Sequence, residues 1–279
     1  MKPLVTILGA GAVGSSLALA LRAPSGAYAL SALASRSEET VRSLARRLRT
    51  KRFTTFEDFT MPDEGLILIA VPDDALPGLA LRIAHAMPPE RRTAAVVLHT
   101  SGALGADVLS PLREKGASVG SFHPLMLFPR GRSTGKEFAR CPVAIEGDAL
   151  AVEAAEGLAA ALQARPFRIA TEKKTLYHIA AVFASNYFVT LLSAVGKSGS
   201  ALGLPPEETM ALFTPLIRQT LGAVLESSPG EALTGPIVRN DCDTLRRHLD
   251  ALREFGDNDL LSLYIELGLA TAHLAREHE

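Results

Sequence analysis

The stretch VTILGAGAVGSSLA, residues 5–18, decides the fold. An apolar, β-branched run leads directly into Gly9-x-Gly11-x-x-Gly14, and a segment with helical spacing follows. Glycines at this spacing are a weak signal alone and gain meaning between a strand and a helix. In that setting Gly9 permits the tight turn, Gly11 lets the backbone approach a pyrophosphate, and Gly14 lets the helix pack against the strand. The free N–H groups of the helix's first turn then face phosphate. Gly9, Ala10, Gly11, Ala12, Val13 and Gly14 are the expected phosphate contacts; the plainer reading is a glycine-rich turn with no ligand. The same glycines argue against a secretion signal, because they are poor helix formers in the middle of the apolar stretch.

The end of the next strand selects the dinucleotide. In NAD-binding chains an acid about 20 residues past the loop holds the ribose hydroxyls. Here that place reads LASRSEE and supplies Ser35, Arg36 and Ser37 instead. A planar guanidinium pairs with a 2′-phosphate, and two hydroxyls donate to it. The expectation is NADP, with NADPH preferred over NADH; the alternative is a solvated surface Arg36. Further on, AVPDDAL brings Val71 and Pro72 to the nicotinamide-side ribose, with Asp73 or Asp74 as the cap of the following helix.

Strand and helix patterns alternate through about residue 170. PLVTILG, AYALSALAS, GLILIAVP, TAAVVLHT, ASVGSF, CPVAIEG and PFRIA read as strands, apolar on both faces. SEETVRSLARRLRT reads as a helix opened by Ser37, with Glu38 and Glu39 in its first turn where the dipole favours acids. Such alternation predicts a mostly parallel sheet covered on both sides. From residue 171 to 279 the pattern is helical only, ending in a helix capped by Asp257 or Asn258. The expected organisation is therefore a dinucleotide-binding α/β domain over 1–170 and a helical substrate and dimerisation domain over 171–279.

The totals exclude several classes. A net charge of -1 over 279 residues offers no field for nucleic acid or an anionic membrane. Cys141 and Cys242 form no CxxC pair, so neither a disulfide framework nor a metal site is expected, and a cytoplasmic setting fits. No uninterrupted apolar run reaches the roughly 18 residues of a membrane span.

With these elements placed, the run from AVPDDAL through VVLHTSGALGADVLSPLREKGASVGSFHPLMLF, CPVAIEGD, LYHIAAVFASNYFVTLL and ALTGPIVRND resembles a family of predicted oxidoreductases. Its members join a Rossmann-like NADP-binding domain to a helical C-terminal domain of unknown function. The wider relatives are similar to pyrroline-5-carboxylate reductase and prephenate dehydrogenase, and the helical part is similar to the C-terminal domain of 6-phosphogluconate dehydrogenase. The resemblance implies a fold and a cofactor, and it supplies no substrate. In prephenate dehydrogenases a His-Pro turn after a late strand brings its histidine to the hydroxyl that loses hydride; SFHP places His123 at that point, and Ser101 in HTSG matches their serine.

The chemistry stands beside the likeness. Hydride removal from an alcohol needs a base and carbonyl reduction needs an acid, and a histidine titrating near neutral pH serves both. His123 is read as that group, with Ser101 sharing the reacting oxygen; the structural readings are a hydrogen-bonding His123 and a helix-capping Ser101. His99 is read as supporting its strand end. On the first helix after residue 170, His178 and Ser185 are seven apart and share a face, which Lys174 joins. Asn186 lies about 80° round from His178, in a buried-looking stretch where an amide must be satisfied internally or face a ligand. Asn186 is taken as catalytic and His178 as a substrate contact. Hydroxyacid dehydrogenases pair a lysine with an asparagine four residues on, and this chain departs from that.

ALTGPIVRND resembles in placement the substrate loop of pyrroline-5-carboxylate reductases. Thr234 and the Gly235 N–H are expected to hold a carboxylate with Arg239 as counter-charge, against a turn and helix cap at Asn240 or Asp241. The relatives imply a homodimer through the helical domain. The expected function is hydride transfer between NADP and a small polar, carboxylate-bearing substrate, without a metal; the rival is a non-catalytic dinucleotide-binding sensor or scaffold.

Overall fold

The computed structural model describes residues 2–22, 26–129 and 131–278. They divide into two compact units, Met1–Phe183 and Ala184–Glu279.

The first unit is an eight-stranded sheet: β1 (Leu4–Leu8), β2 (Ala29–Ser35), β3 (Phe53–Thr55), β4 (Leu66–Ile69), β5 (Val96–His99), β6 (Ser118–Pro124), β7 (Pro142–Gly147) and β8 (Arg165–Arg168). Its spatial order is β3-β2-β1-β4-β5-β6-β7-β8. Every pairing is parallel except β6 with β7, where His123 lies opposite Ala144. On one face α1 (Ala12–Ala20), α2 (Glu38–Leu48) and, later in the chain, a helix over Ala149–Ala161 bury Leu17, Val41, Leu44, Ala155 and Leu158. The other face is covered by α3 (Leu76–Ala86), a 3-10 turn (Ala106–Leu109) and the short α4 (Ser110–Arg113), through Leu79, Ile83, Leu109 and Leu112. The Ala149–Ala161 helix is α5. The predicted mostly parallel sheet, covered on both sides, is what forms; β3 is a three-residue edge strand that the apolar pattern missed.

Local chemistry explains the helix starts. Ser37 accepts from the Thr40 N–H and opens α2, with Glu38 and Glu39 in the first turn as expected. α1 instead starts at Gly11, with no side-chain cap and no acid in its first turn.

The chain then enters α6 (Lys174–Val182), a π-helical turn (Phe183–Tyr187) and α7 (Phe188–Ser200). The second unit adds α8 (Pro206–Glu226), α9 (Pro229–Ala232), α10 (Cys242–Phe255) and α11 (Asn258–Arg276), and no strand among its described residues. Asp257 is the residue that caps α11, accepting from the Leu260 N–H. Within this unit Leu260 is the one buried apolar side chain among the described residues, while Val189, Leu212, Leu216 and Leu225 are 57–76% exposed.

Residues Thr171–Ser200 form a 30-residue helical run that contains a stretch of mean hydropathy 1.7, long and apolar enough to cross a membrane by length and composition alone. His178, Ser185 and Asn186 interrupt the run in sequence without lowering its average below that level.

Candidate functional site

The glycine turn is built around backbone contact. Gly9 has φ +117°, donates its N–H to the Ala34 carbonyl at 2.8 Å, and would place a Cβ 2.1 Å from the Ala70 carbonyl oxygen. A Cβ on Gly14 would meet the Gly9 carbonyl oxygen at 2.0 Å, so α1 rides directly on the turn. Gly11 differs: nothing lies within 4 Å of its would-be Cβ. Its open side belongs to a cavity of about 990 Å³ lined by Gly11, Ala12, Val13, Val71, Pro72 and Thr100, with Thr40, Ser43 and Arg47 of α2 as a further wall. An uncapped, acid-free helix start at the edge of such a space suits an anionic group. These residues therefore fit a dinucleotide's pyrophosphate.

Ser35, Arg36 and Ser37 stand at the end of β2 but do not line that cavity. Ser35 is buried, Ser37 uses its oxygen as the α2 cap, and Arg36 is exposed with no ion pair among the described residues.

Where Pro72 and Thr100 end the cavity, the next residues tie together. The Ser101 hydroxyl donates to Asp73 Oδ2 at 2.9 Å and accepts from the Ala103 and Leu104 N–H groups at 3.2 and 2.9 Å. One expectation is corrected by this. Asp73 does not cap α3, whose N-cap is Ala75 without a side-chain bond. Ser101, expected beside the reacting oxygen, is 5% exposed and has its only proton committed to Asp73. It is the staple of the loop. Behind it His99 is fully buried, with Nε2 3.2 Å from the Gly105 carbonyl and Nδ1 accepting from the Ser101 N–H. Burial first, then the Lys174 charge, push His99 down to about 3, so it is a neutral strut.

His123 ends β6 beside this loop. Its Nδ1 lies 2.8 Å from the Tyr177 hydroxyl of α6. A Cβ on Gly102 would fall 2.7 Å from His123 Nε2 and 2.6 Å from His178 Nδ1, so both imidazoles pack closely onto this glycine. The two rings meet edge to face with centroids 6.0 Å apart. His178 Nδ1 is buried with no hydrogen-bond partner among the described residues. His123 is pushed down to about 4 by burial, then by the Lys174 charge, then by His178. Burial and these neighbours thus favour the neutral imidazole at His123.

Lys174 supplies the charge. Its side chain is 1% exposed, and its Nζ donates to Ser121 Oγ at 2.8 Å and to the Ser101 carbonyl at 3.1 Å, with Glu146 Oε1 at 3.5 Å. Glu146 in turn accepts from the Thr171 hydroxyl at 2.8 Å. Burial lowers the ammonium to about 8 while Glu146 acts the other way. Tyr177, Glu146 and Ser121 were not singled out from sequence. The signal for Glu146 was present, as a carboxylate inside the apolar strand CPVAIEG.

The remaining sequence candidates lie in the second unit. Asn186 sits in the π-helical turn and is exposed, as are Phe183 at 62% and Tyr187 at 52%. The buried-looking stretch is therefore solvent-facing in the single chain. A π turn holds more residues than an α turn, so the α-helical phase that related Asn186 and Ser185 to His178 does not carry through it. Thr234 and Arg239 are exposed in the segment between α9 and α10, where Gly235 has φ +107°. Asp241, not Asn240, caps α10 by accepting from the Thr244 N–H. No group of three or more potential metal ligands occurs among the described residues.

Two family models match successive parts of the chain. Residues 2–124 match the model of a Rossmann-like domain, and residues 141–271 match a domain of unknown function, DUF2520. The chain is a Rossmann-like N-terminal domain followed by a DUF2520 C-terminal domain. A structure of a candidate NADP oxidoreductase from Bacteroides fragilis matches at 25% identity and TM-score 0.77, covering 98% of each chain. A reductive aminase from Aspergillus terreus, in complex with NADPH and ethyl-5-oxohexanoate, matches at 16% identity and TM-score 0.69, over 99% of this chain and 95% of that one. A 1-pyrroline-5-carboxylate reductase from Streptococcus pyogenes matches at 14% identity and TM-score 0.59, over 97% and 98%. The curated proteins contain no sequence match.

Proposed function

We propose that this chain is an NADP-dependent oxidoreductase that transfers a hydride between the nicotinamide and a small polar, carboxylate-bearing substrate. One observation carries the reading: the cavity that begins at the uncapped glycine turn ends at the loop on which His123 and His178 converge. The description of the Bacteroides fragilis protein as an NADP oxidoreductase, and the NADPH in the reductive aminase complex, support the same cofactor class.

In this reading the Gly9–Gly14 turn holds the pyrophosphate and Val71 and Pro72 border the nicotinamide-side ribose. The bound nicotinamide supplies or accepts the hydride. His123 faces the substrate atom that gains negative charge when hydride arrives, and as a neutral imidazole it hydrogen-bonds that atom. His178 presents its unpartnered Nδ1 to the same ligand. Ser101 and Asp73 hold the loop in shape. A substrate panel followed by NADPH absorbance tests the proposal. Tight NADPH binding with no turnover across carbonyl and imine substrates would favour the sensor reading.

NADPH is expected to bind more tightly than NADH. Arg36 is exposed at the β2 end with no ion pair among the described residues, the strand tip carries no acid, and hydrogen bonds to a charged group contribute about 1.5–3 kcal/mol each. Calorimetric titration should give a roughly 10–100-fold preference that Arg36→Ala abolishes. Equal affinities in the unaltered protein would refute the assignment.

The functional form is a homodimer paired through the second unit. A unit of 96 residues with one buried apolar side chain lacks a core of its own. It carries apolar grooves of about 450 and 340 Å³ along α7, α8 and α11. A second copy presents the same faces, and two-fold pairing covers both at once. Light scattering should give twice the 29.6 kDa chain mass. A monomer in buffer, or a chain soluble only with detergent, would refute the dimer, the latter in favour of a lipid partner for Thr171–Ser200.

A further inference from the structure

Building on the role proposed above for His123, we infer that Tyr177 is a positioning residue that holds this imidazole with its proton on Nε2, so that the site offers its substrate a neutral N–H donor. The Tyr177 hydroxyl and His123 Nδ1 are 2.8 Å apart, and the rings stand nearly perpendicular, at 84°. Phe167 of β8 packs edge-on against the tyrosine ring at 5.9 Å and fixes it from the other side. The hydroxyl has one proton, and Nδ1 is its one hydrogen-bond partner among the described residues. An imidazole lone pair is a far better acceptor than a phenol oxygen, so the tyrosine donates and Nδ1 accepts. A neutral imidazole carries a single N–H, which this arrangement places on Nε2.

The two edges of the ring then have different tasks. Nδ1 faces the tyrosine. Nε2 makes no hydrogen bond among the described residues and abuts Gly102, two residues beyond Thr100 at the end of the cavity. His178 Nδ1, also unpartnered, abuts the same glycine. The partner that satisfies an Nε2–H is an atom with a lone pair on the reducible carbon: a carbonyl oxygen or an imine nitrogen. When hydride adds to that carbon, the π electron pair moves onto the heteroatom. The Nε2–H···X hydrogen bond strengthens as charge develops, and solvent supplies the proton. The titratable groups facing His123 are Tyr177, Lys174 and His178 of α6 and His99 of β5. The first two stay protonated near pH 7 and His99 stays uncharged, so the tautomer is held across the neutral range.

Nitrogen-15 NMR of histidine-labelled full-length protein with NADPH reads the tautomer directly. His123 should show a proton-bearing Nε2 and an accepting Nδ1, and Tyr177→Phe should shift it to a tautomer mixture. On whichever ketone or imine of the substrate panel is reduced, Tyr177→Phe should lower kcat roughly 10–10²-fold, as misassigned tautomers do. KM and NADPH affinity should stay within about twofold, since the hydroxyl touches neither ligand. A proton on Nδ1 in the unaltered protein, or an unchanged His123 spectrum in Tyr177→Phe, overturns the inference while the oxidoreductase reading survives. Failure to bind NADPH or to turn over overturns that reading instead, and the tautomer still decides the role of the tyrosine.

Discussion

Replacing His123 by alanine should lower turnover by about 10²–10⁴-fold, the range for loss of a positioned proton-handling group, with NADPH affinity nearly unchanged. The separation follows from geometry. His123 ends β6, whereas the pyrophosphate turn lies between β1 and α1, and sheet order places β4 and β5 between them. His99→Ala gives the contrasting result: its ring bonds Gly105 and Ser101 and is fully buried, so the loss appears in stability first. The pH dependence also has a defined sign. His123 and His99 are held at about 4 and about 3, below the ordinary histidine value of 6.5. Between those values and 6.5 the unfolded chain binds more protons than the folded one, so stability falls as pH drops through this window. Turnover should therefore show no limb from His123 between pH 6 and 8. A His123→Ala variant that keeps its kcat on a reduced substrate, or a rate titrating with pKa near 6.5, would remove His123 from the chemistry.

The architecture was legible in sequence because its determinants are local. Gly9, Gly11 and Gly14 lie within six residues of one another between a strand and a helix, and Ser37 with two glutamates announces α2. β3 escaped because three edge residues carry no periodicity. The site was legible only in part. His123 and His178 stand out as polar residues in apolar runs, and the fold brings them to the same glycine 21 or more residues away from the nearer one in sequence. Asp73 lay two residues before the true cap of α3, a distance at which spacing cannot separate capping from a contact with Ser101 across two loops. Lys174 and Glu146 are 28 residues apart, and their meeting depends on β7 turning antiparallel to β6. The apolar surface of α7 and α8 read as buried because sequence hydropathy records that a face needs covering without recording what covers it.

The second large effect concerns that pair. Glu146→Gln should destabilise the protein by roughly 3–5 kcal/mol, the usual cost of removing one partner from a buried ion pair. The substitution keeps volume and an acceptor for the Thr171 hydroxyl, so it isolates the charge. Lys174, at 1% side-chain exposure, would keep Ser121 and the Ser101 carbonyl but lose the carboxylate 3.5 Å from its Nζ. Burial already brings its ammonium down from 10.5 to about 8 against the opposing pull of Glu146. Without that pull its folded value falls further, while the unfolded value does not move. Wherever the folded lysine is neutral and the unfolded one charged, the unfolded chain holds the extra proton, so stability rises with pH. In the variant this rise starts lower than about 8, so the gap to the unaltered protein should narrow as pH climbs toward 8 and stay level above it. Lys174→Met alone strands the Glu146 carboxylate and should also be costly, whereas the double variant, with no buried charge left, should cost less than the sum of the two. Urea unfolding at pH 6, 7 and 8 measures all three. Additive losses, or a Glu146→Gln deficit that ignores pH, would mean that the 3.5 Å contact carries no coupling and that Ser121 and the Ser101 carbonyl alone hold the lysine.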